Sequence, residues 1–164
     1  MMKFLVDSML GGLVKGLRML GFDTLYYRGQ DPHELIQMSR LQERVILTRN
    51  ARLTAKGVEA RVILIMEDNP FLQLKELLKR GIIVLDENAF FSRCLLCNSL
   101  LIKIGWEEVE GEVPDFIFYH HHEFHRCPQC HQIYWPGSHQ EGMEKRLKGL
   151  TRIQGVEGSS DQAK

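Results

Sequence analysis

The sequence predicts an α/β domain built on a parallel sheet, followed by a second, small module cross-linked by cysteines. Short apolar runs alternate with amphipathic helical patterns as far as Asn88, and that periodicity ceases at Phe91. All four cysteines lie beyond that point, in two Cys-x-x-Cys pairs. Alternation of this kind over roughly 85 residues favours parallel strands joined by right-handed crossovers.

Taken in order, Phe4 to Val6 reads as a buried strand, and Leu10, Leu13, Val14, Leu17 and Leu20 recur at spacings of three and four, forming one apolar helix face. Gly21 ends that helix as a C-cap. Leu25 to Tyr27 is a second strand. Asp31 as N-cap, Pro32 at the first helical position and Glu34 three residues after the cap start a second helix, which runs to about Glu43. Val45 to Thr48 is a third strand. Arg61 to Met66 is a continuous apolar strand of the kind buried on both faces. Asn69 and Pro70 then repeat the helix-start signal, ahead of Phe71, Leu72, Leu74, Leu77 and Leu78, and Gly81 stops that helix. Ile82 to Leu85 completes the strand set. The predicted domains are therefore residues 1–88, a small module over 91–143, and a basic helix with a flexible tail over 144–164.

The chain has 164 residues, 44% hydrophobic and 26% charged, a balance that suits a globular protein. Equal numbers of Lys plus Arg (21) and Asp plus Glu (21) argue against a wholly electrostatic nucleic-acid binder but allow local patches. Asp7, Lys15 and Arg18 interrupt the apolar N-terminus, no small-residue cleavage site follows, and no run approaches the about 20 residues of a membrane span. A cytoplasmic location without membrane association is expected. In that setting Cys94, Cys97, Cys127 and Cys130 read as metal ligands before disulfides. Two chelating pairs supply the ligand set of one tetrahedral structural zinc, the mark of a zinc ribbon. A segment without a hydrophobic core gains stability from such a cross-link. Residues 98–126 exceed the usual spacing between pairs, which implies an extra hairpin. His120, His121, His122, His125 and His131 leave a ligand exchange or second metal open, although four cysteines suffice. His139 reads as a surface or nucleic-acid contact, or as a packed or solvated residue.

In an open parallel sheet, functional groups collect beyond the carboxyl ends of the strands. Asp7 follows the first strand, Asn50 the third and Asp68 the fourth, while Asp31 or Glu34 heads the second crossover helix. Clustered carboxylates repel one another, a repulsion that Mg²⁺ or Mn²⁺ relieves, and such an ion activates water against a phosphodiester. Each residue also has a plainer reading: Asp31 and Glu34 as a capping box, Asp68 as a solvated residue before a cap, Asp7 as a helix cap. Arg18 and Arg49 either bind phosphate or pair with a carboxylate.

Asp7-Ser8-Met9-Leu10, Gly12-Leu13 through Leu17-Arg18, Leu20-Gly21, the run Arg44 to Asn50, Cys94-x-x-Cys97-Asn98 and the run Cys127 to His139 together resemble the Mut-seven C-terminal RNase family. That family is similar to PIN-domain nucleases with an appended zinc ribbon, and the resemblance spans Lys3 to about Met143. It implies a three-layer PIN-like α/β/α fold and a divalent-metal site that hydrolyses RNA. Asp7 matches the first acidic position, Asp31 or Glu34 the second, and Asp68 is a partner after the following strand. Asn50 departs from the family, which typically has Asp there. The expected function is a Mg- or Mn-dependent ribonuclease. The alternative is a non-catalytic RNA- or protein-binding module with a degenerate site, and a third reading is a nuclease controlled by a regulatory protein partner.

Overall fold

The computed structural model describes residues 1–54 and 60–162, with the backbone alone for Ser138, His139 and 153–162. The chain divides into two compact units, Met1–Asn98 and Ser99–Lys164. In the first, β1 (Phe4–Val6), α1 (Gly11–Met19), β2 (Thr24–Tyr26), α2 (Pro32–Gln42), β3 (Val45–Thr48), β4 (Val62–Leu64) and α3 (Pro70–Lys79) follow one another. The four strands form one parallel sheet in the order β2-β1-β3-β4.

β1 sits between β2 and β3, with Phe4 opposite both Thr24 and Val45, and its three side chains are fully buried. Right-handed crossovers to opposite sides of β1 put α1 and α2 on opposite faces of the sheet. On the α2 face, Leu5 and Ile46 pack with Tyr27, Leu35 and Leu53. On the other side α1 packs against α3. Gly12 permits that approach, because a Cβ there would lie 2.5 Å from Cγ of Pro70. The expected three-layer α/β arrangement is therefore present.

Local signals act as the sequence implies. Asp31 caps α2 by accepting from the His33 amide at 2.9 Å, and Asn69 caps α3 by accepting from those of Phe71 and Leu72. Gly21 follows α1 at φ 94°, where a Cβ would also strike the Ala89 carbonyl oxygen at 2.4 Å.

Two expectations need correcting. Ile82 to Leu85 is no strand: past Gly81 at φ 69°, the amides of Ile82 and Ile83 turn back to the Leu77 carbonyl at the end of α3. Ile83 and Leu85 are buried nonetheless, so their apolar character reflects packing without a ladder. β4 is shorter than 61–66 and lies at the sheet edge, with Val62 and Leu64 half-buried and Met66 69% exposed, so it is not covered on both faces.

The second unit contains β5 (Ile102–Ile104), α4 (Asp115–His120), β6 (Phe124–Arg126), β7 (Ile133–Tyr134) and α5 (Ser138–Gln162). Its sheet is antiparallel, in the order β5-β6-β7. The insert over 98–126 pairs β5 with β6 antiparallel, as a hairpin would, but through a long connection, 105–123, that carries α4. This unit does own a small core of Val109, Val113, Phe118 and Phe124, with Trp106 stacked on Phe118 at 4.4 Å. The absence of helical periodicity in the sequence concealed it, since valines from turns, Phe118 of the short helix α4 and Phe124 of a short strand build it. α5 begins before the expected basic helix at 144 and continues through residues that read as a flexible tail.

At the amino ends of the strands, a polar cluster closes the first unit. Arg44 donates to Asp23 Oδ1 at 2.8 Å and Asn98 Nδ2 donates to the same oxygen at 2.7 Å. Asn98 Oδ1 accepts from the Thr24 amide at 2.9 Å. Arg93 links the Gly21 and Asn98 carbonyls. Burial alone would raise the Asp23 pKa, but the hydrogen bonds from Arg44 and Asn98, with the charges of Arg44 and Arg93, hold it below the ordinary carboxylate value of 3.8. A depressed folded-state pKa gives stability that is complete above the unfolded value and is lost as pH falls through the folded one. Thermal midpoints measured between pH 7 and pH 2 should therefore fall at the acid end, and Asp23→Asn should lower the neutral plateau while flattening that acid limb.

Candidate functional site

The order reversal at β1 makes the β1/β3 boundary a switch point, where neighbouring loops diverge beyond the strand ends. A crevice of about 310 Å³ opens there. Asp7, Ser8 and Met9 enter it from the β1 exit, Tyr27 and residues 29–32 from the β2 exit, and Asn50 and Leu53 from the β3 exit.

Asp7 is half-buried and held on both oxygens. Oδ1 accepts from the Ser8 amide at 2.7 Å, which also caps the helical turn Ser8–Leu10, and Oδ2 accepts from the Thr48 hydroxyl at 2.7 Å. Thr48 is fully buried and its hydroxyl accepts in turn from the Asn50 amide at 3.0 Å. A hydroxyl has one proton, so the bond from Asn50 leaves Thr48 free to direct that proton at Asp7. The Asn50 side-chain oxygen accepts from the Arg52 amide at 3.1 Å. Asp31 lines the crevice while capping α2, so its bland and functional readings coexist. Glu34 accepts from the Tyr27 hydroxyl at 2.7 Å, a bond that pushes the Tyr27 phenol above its ordinary pKa of 10.0 and keeps it a donor.

The other expected residues stand elsewhere. Asp68 is exposed on the loop between β4 and α3, at the same end of the sheet as Asp7, but does not line the crevice. Arg49 donates to the Met66 and Glu67 carbonyls, bracing that loop. Arg18 is buried at the opposite end, where Nε donates to the Thr24 carbonyl at 3.0 Å and Nη1 to that of Leu95 at 2.8 Å. Neither a phosphate at the crevice nor a carboxylate is what Arg18 meets in these bonds.

The cysteine pairs form two turns of the same design. The Asn98 amide bonds to the Cys94 carbonyl and the His131 amide to the Cys127 carbonyl, each at 2.9 Å. Asn98 and His131 occupy left-handed conformations, with φ of 70° and 67°. His131 is thus the counterpart of Asn98 in its turn. The four Sγ atoms lie within 4.8 Å of one another, and no histidine belongs to the group. Tetrahedral zinc–thiolate bonds of about 2.3 Å put sulfurs about 3.8 Å apart, so the cluster fits one zinc. Among the described residues this is the one group of three or more ligating side chains drawn so close, and the carboxylates of Asp7, Asp31 and Asp68 form none.

The family model for the Mut7-C RNAse domain matches residues 2–147, spanning both the crevice and the cysteine cluster. The chain belongs to this family. No curated protein and no solved structure matches it. Membership in this family points to a ribonuclease-type function and, through it, to RNA. Among its described residues no helix is long and apolar enough to cross a membrane. The side chain of His139 lies outside the described residues.

Sequence reasoning missed Thr48 and Tyr27. A threonine at the carboxyl end of an otherwise aliphatic buried strand was the available signal for Thr48, since its hydroxyl needs a partner inside. Metal analysis of the purified chain should return one zinc per molecule. The Cys94→Ser, Cys97→Ser double variant should lose it, and a wild-type chain that is folded yet metal-free would refute the site.

Proposed function

We propose that this Mut7-C RNAse domain is a Mg²⁺- or Mn²⁺-dependent ribonuclease that hydrolyses RNA phosphodiesters at the β1/β3 crevice. The observation that carries the reading is Asp7, a half-buried carboxylate fixed by Thr48 and Ser8 in a crevice it shares with Asp31 and Asn50. The donors suit a hard cation. The bonds to Asp7 leave acceptor capacity on Oδ2, Asp31 spends one oxygen on the His33 amide, and every candidate ligand is oxygen. Mg²⁺ commonly uses one or two carboxylates and keeps several waters, so a tight three-carboxylate cluster is not required.

When bound, the ion would neutralise phosphate charge and supply an activated water. The chain's residues do the rest. Asp7 and Asp31 would hold the ion, and Asn50 would add a neutral carbonyl where a carboxylate would add charge. Thr48 fixes the rotamer of Asp7. Tyr27 ties Glu34 to the crevice wall, from where its carboxylate would assist in balancing the ion's charge, and Asp68 stands on the neighbouring loop outside the lining.

Asn50 supports a second reading, a domain that binds RNA or protein without cutting it. One fewer negative charge weakens cation binding, and the turn made by the Asn50 oxygen could equally be made by Asp. Incubation with single-stranded and structured RNA should give cleavage that needs Mn²⁺ or Mg²⁺ and stops with EDTA. Asp7→Asn should reduce the rate by about a hundredfold or more without loss of fold. RNA bound but left intact by the wild-type chain, and cut by Asn50→Asp, would establish the second reading instead.

A further inference from the structure

We infer that Arg28 and Arg52 form two phosphate subsites flanking the crevice, one beyond the β2 exit and one beyond the β3 exit, so that a single RNA strand crosses the carboxylates between them. This rests on the ribonuclease reading of the same crevice, and it identifies cations other than those the sequence singled out.

RNA brought to a site containing Asp7 and Asp31 meets two negative charges, and cations beside them must offset the repulsion of the flanking phosphates. Arg18 cannot serve, because it is buried at the other end of the sheet with its donors on the Thr24 and Leu95 carbonyls. Arg49 has its guanidinium on the carbonyls of Met66 and Glu67. Arg28 and Arg52 are both exposed, and among the described residues neither is paired with a carboxylate.

Their positions fit the task. Arg28 lies between Tyr27 and Gly29, both of which line the crevice. Its guanidinium sits over the Tyr26 ring, 5.3 Å from the centroid, and the Tyr26 hydroxyl donates to the Ser8 carbonyl at 2.6 Å. Ser8 is the residue whose amide holds Asp7. Stacking engages the face of a guanidinium and leaves its edge donors for a bidentate bond to phosphate. Arg28 is thus pre-positioned through two contacts to the Asp7 turn. Arg52 occupies the turn Ala51–Thr54, between crevice residues Asn50 and Leu53, and its amide is anchored on Asn50. One cation therefore stands on each side of the β1 exit.

The test uses the full chain carrying Asp7→Asn, to suppress cleavage, with a fluorescent single-stranded RNA in Mg²⁺ across a salt series. Adding Arg28→Ala or Arg52→Ala should each weaken binding by roughly fivefold and reduce the slope of log affinity against log salt by about 0.7. Lys79→Ala, at the far end of α3, should change neither quantity. In the cleaving wild-type background, Arg28→Ala should raise KM with little change in kcat, and Arg28→Lys should restore only part of the loss. Unchanged affinity and slope in both arginine variants would overturn the assignment, as would a chain that binds no RNA. Binding with the predicted slopes but no cleavage by wild type would sink the ribonuclease reading and leave the subsites standing.

Discussion

A central strand flanked by parallel neighbours on both sides imposes the geometry on which the rest of the first unit depends. Phe4, Leu5 and Val6 have no exposed surface, so β1 cannot leave its place between β2 and β3 without exposing the core. Crossovers of one hand then carry the chain to opposite faces, and the loops leaving β1 and β3 must part. Asp7 is the first residue beyond the buried strand, at the point where they do so. A carboxylate follows an apolar strand here because the fold opens a polar crevice at that residue and Thr48, across the β1/β3 register, supplies a donor inside it.

The two ends of the sheet are equipped differently. At the carboxyl ends, polar groups are partly exposed and retain acceptor capacity toward the crevice. At the amino ends, Arg18, Asp23, Arg44, Arg93 and Asn98 satisfy one another and the local backbone, and they fasten the Cys94–Asn98 turn to the start of β2. Buried or half-buried charges survive there because each is multiply hydrogen-bonded. The asparagine after the second cysteine thus does two jobs: its backbone adopts the left-handed bend that closes the turn, and its amide bridges Asp23 and Thr24.

What could be read from the sequence follows from the range of each interaction. Asp31 with Pro32 and Asn69 with Pro70 announced their helices correctly because a cap is satisfied within three residues. The cysteine pairs were legible because chelation fixes their spacing. The segment 82–85 misled because burial, and not pairing, explains its apolar residues. Arg18 misled for a related reason: an arginine on a helix after Asp7 resembles a phosphate ligand, and only the fold brings Leu95 to it. Thr48 and Tyr27 went unread because their value lies in partners set by strand register and loop path. The crevice carboxylates Asp7 and Asp31 were named from strand exits and caps alone, whereas the absence of Asp68 from the crevice lining required the β4–α3 loop in place.

Gly12 and Pro70 show where this arrangement is least forgiving. The first lies just past the Asp7 turn and the second just past Asp68, and with no side chain on one and a closed ring on the other, the heads of α1 and α3 touch almost skeleton to skeleton. Even a methyl group inserted at that seam would act as a wedge, prising the two acidic loops apart from a site that carries no charge and touches no substrate. A substitution on the rim would alter its chemistry, whereas a side chain at position 12 would alter its shape.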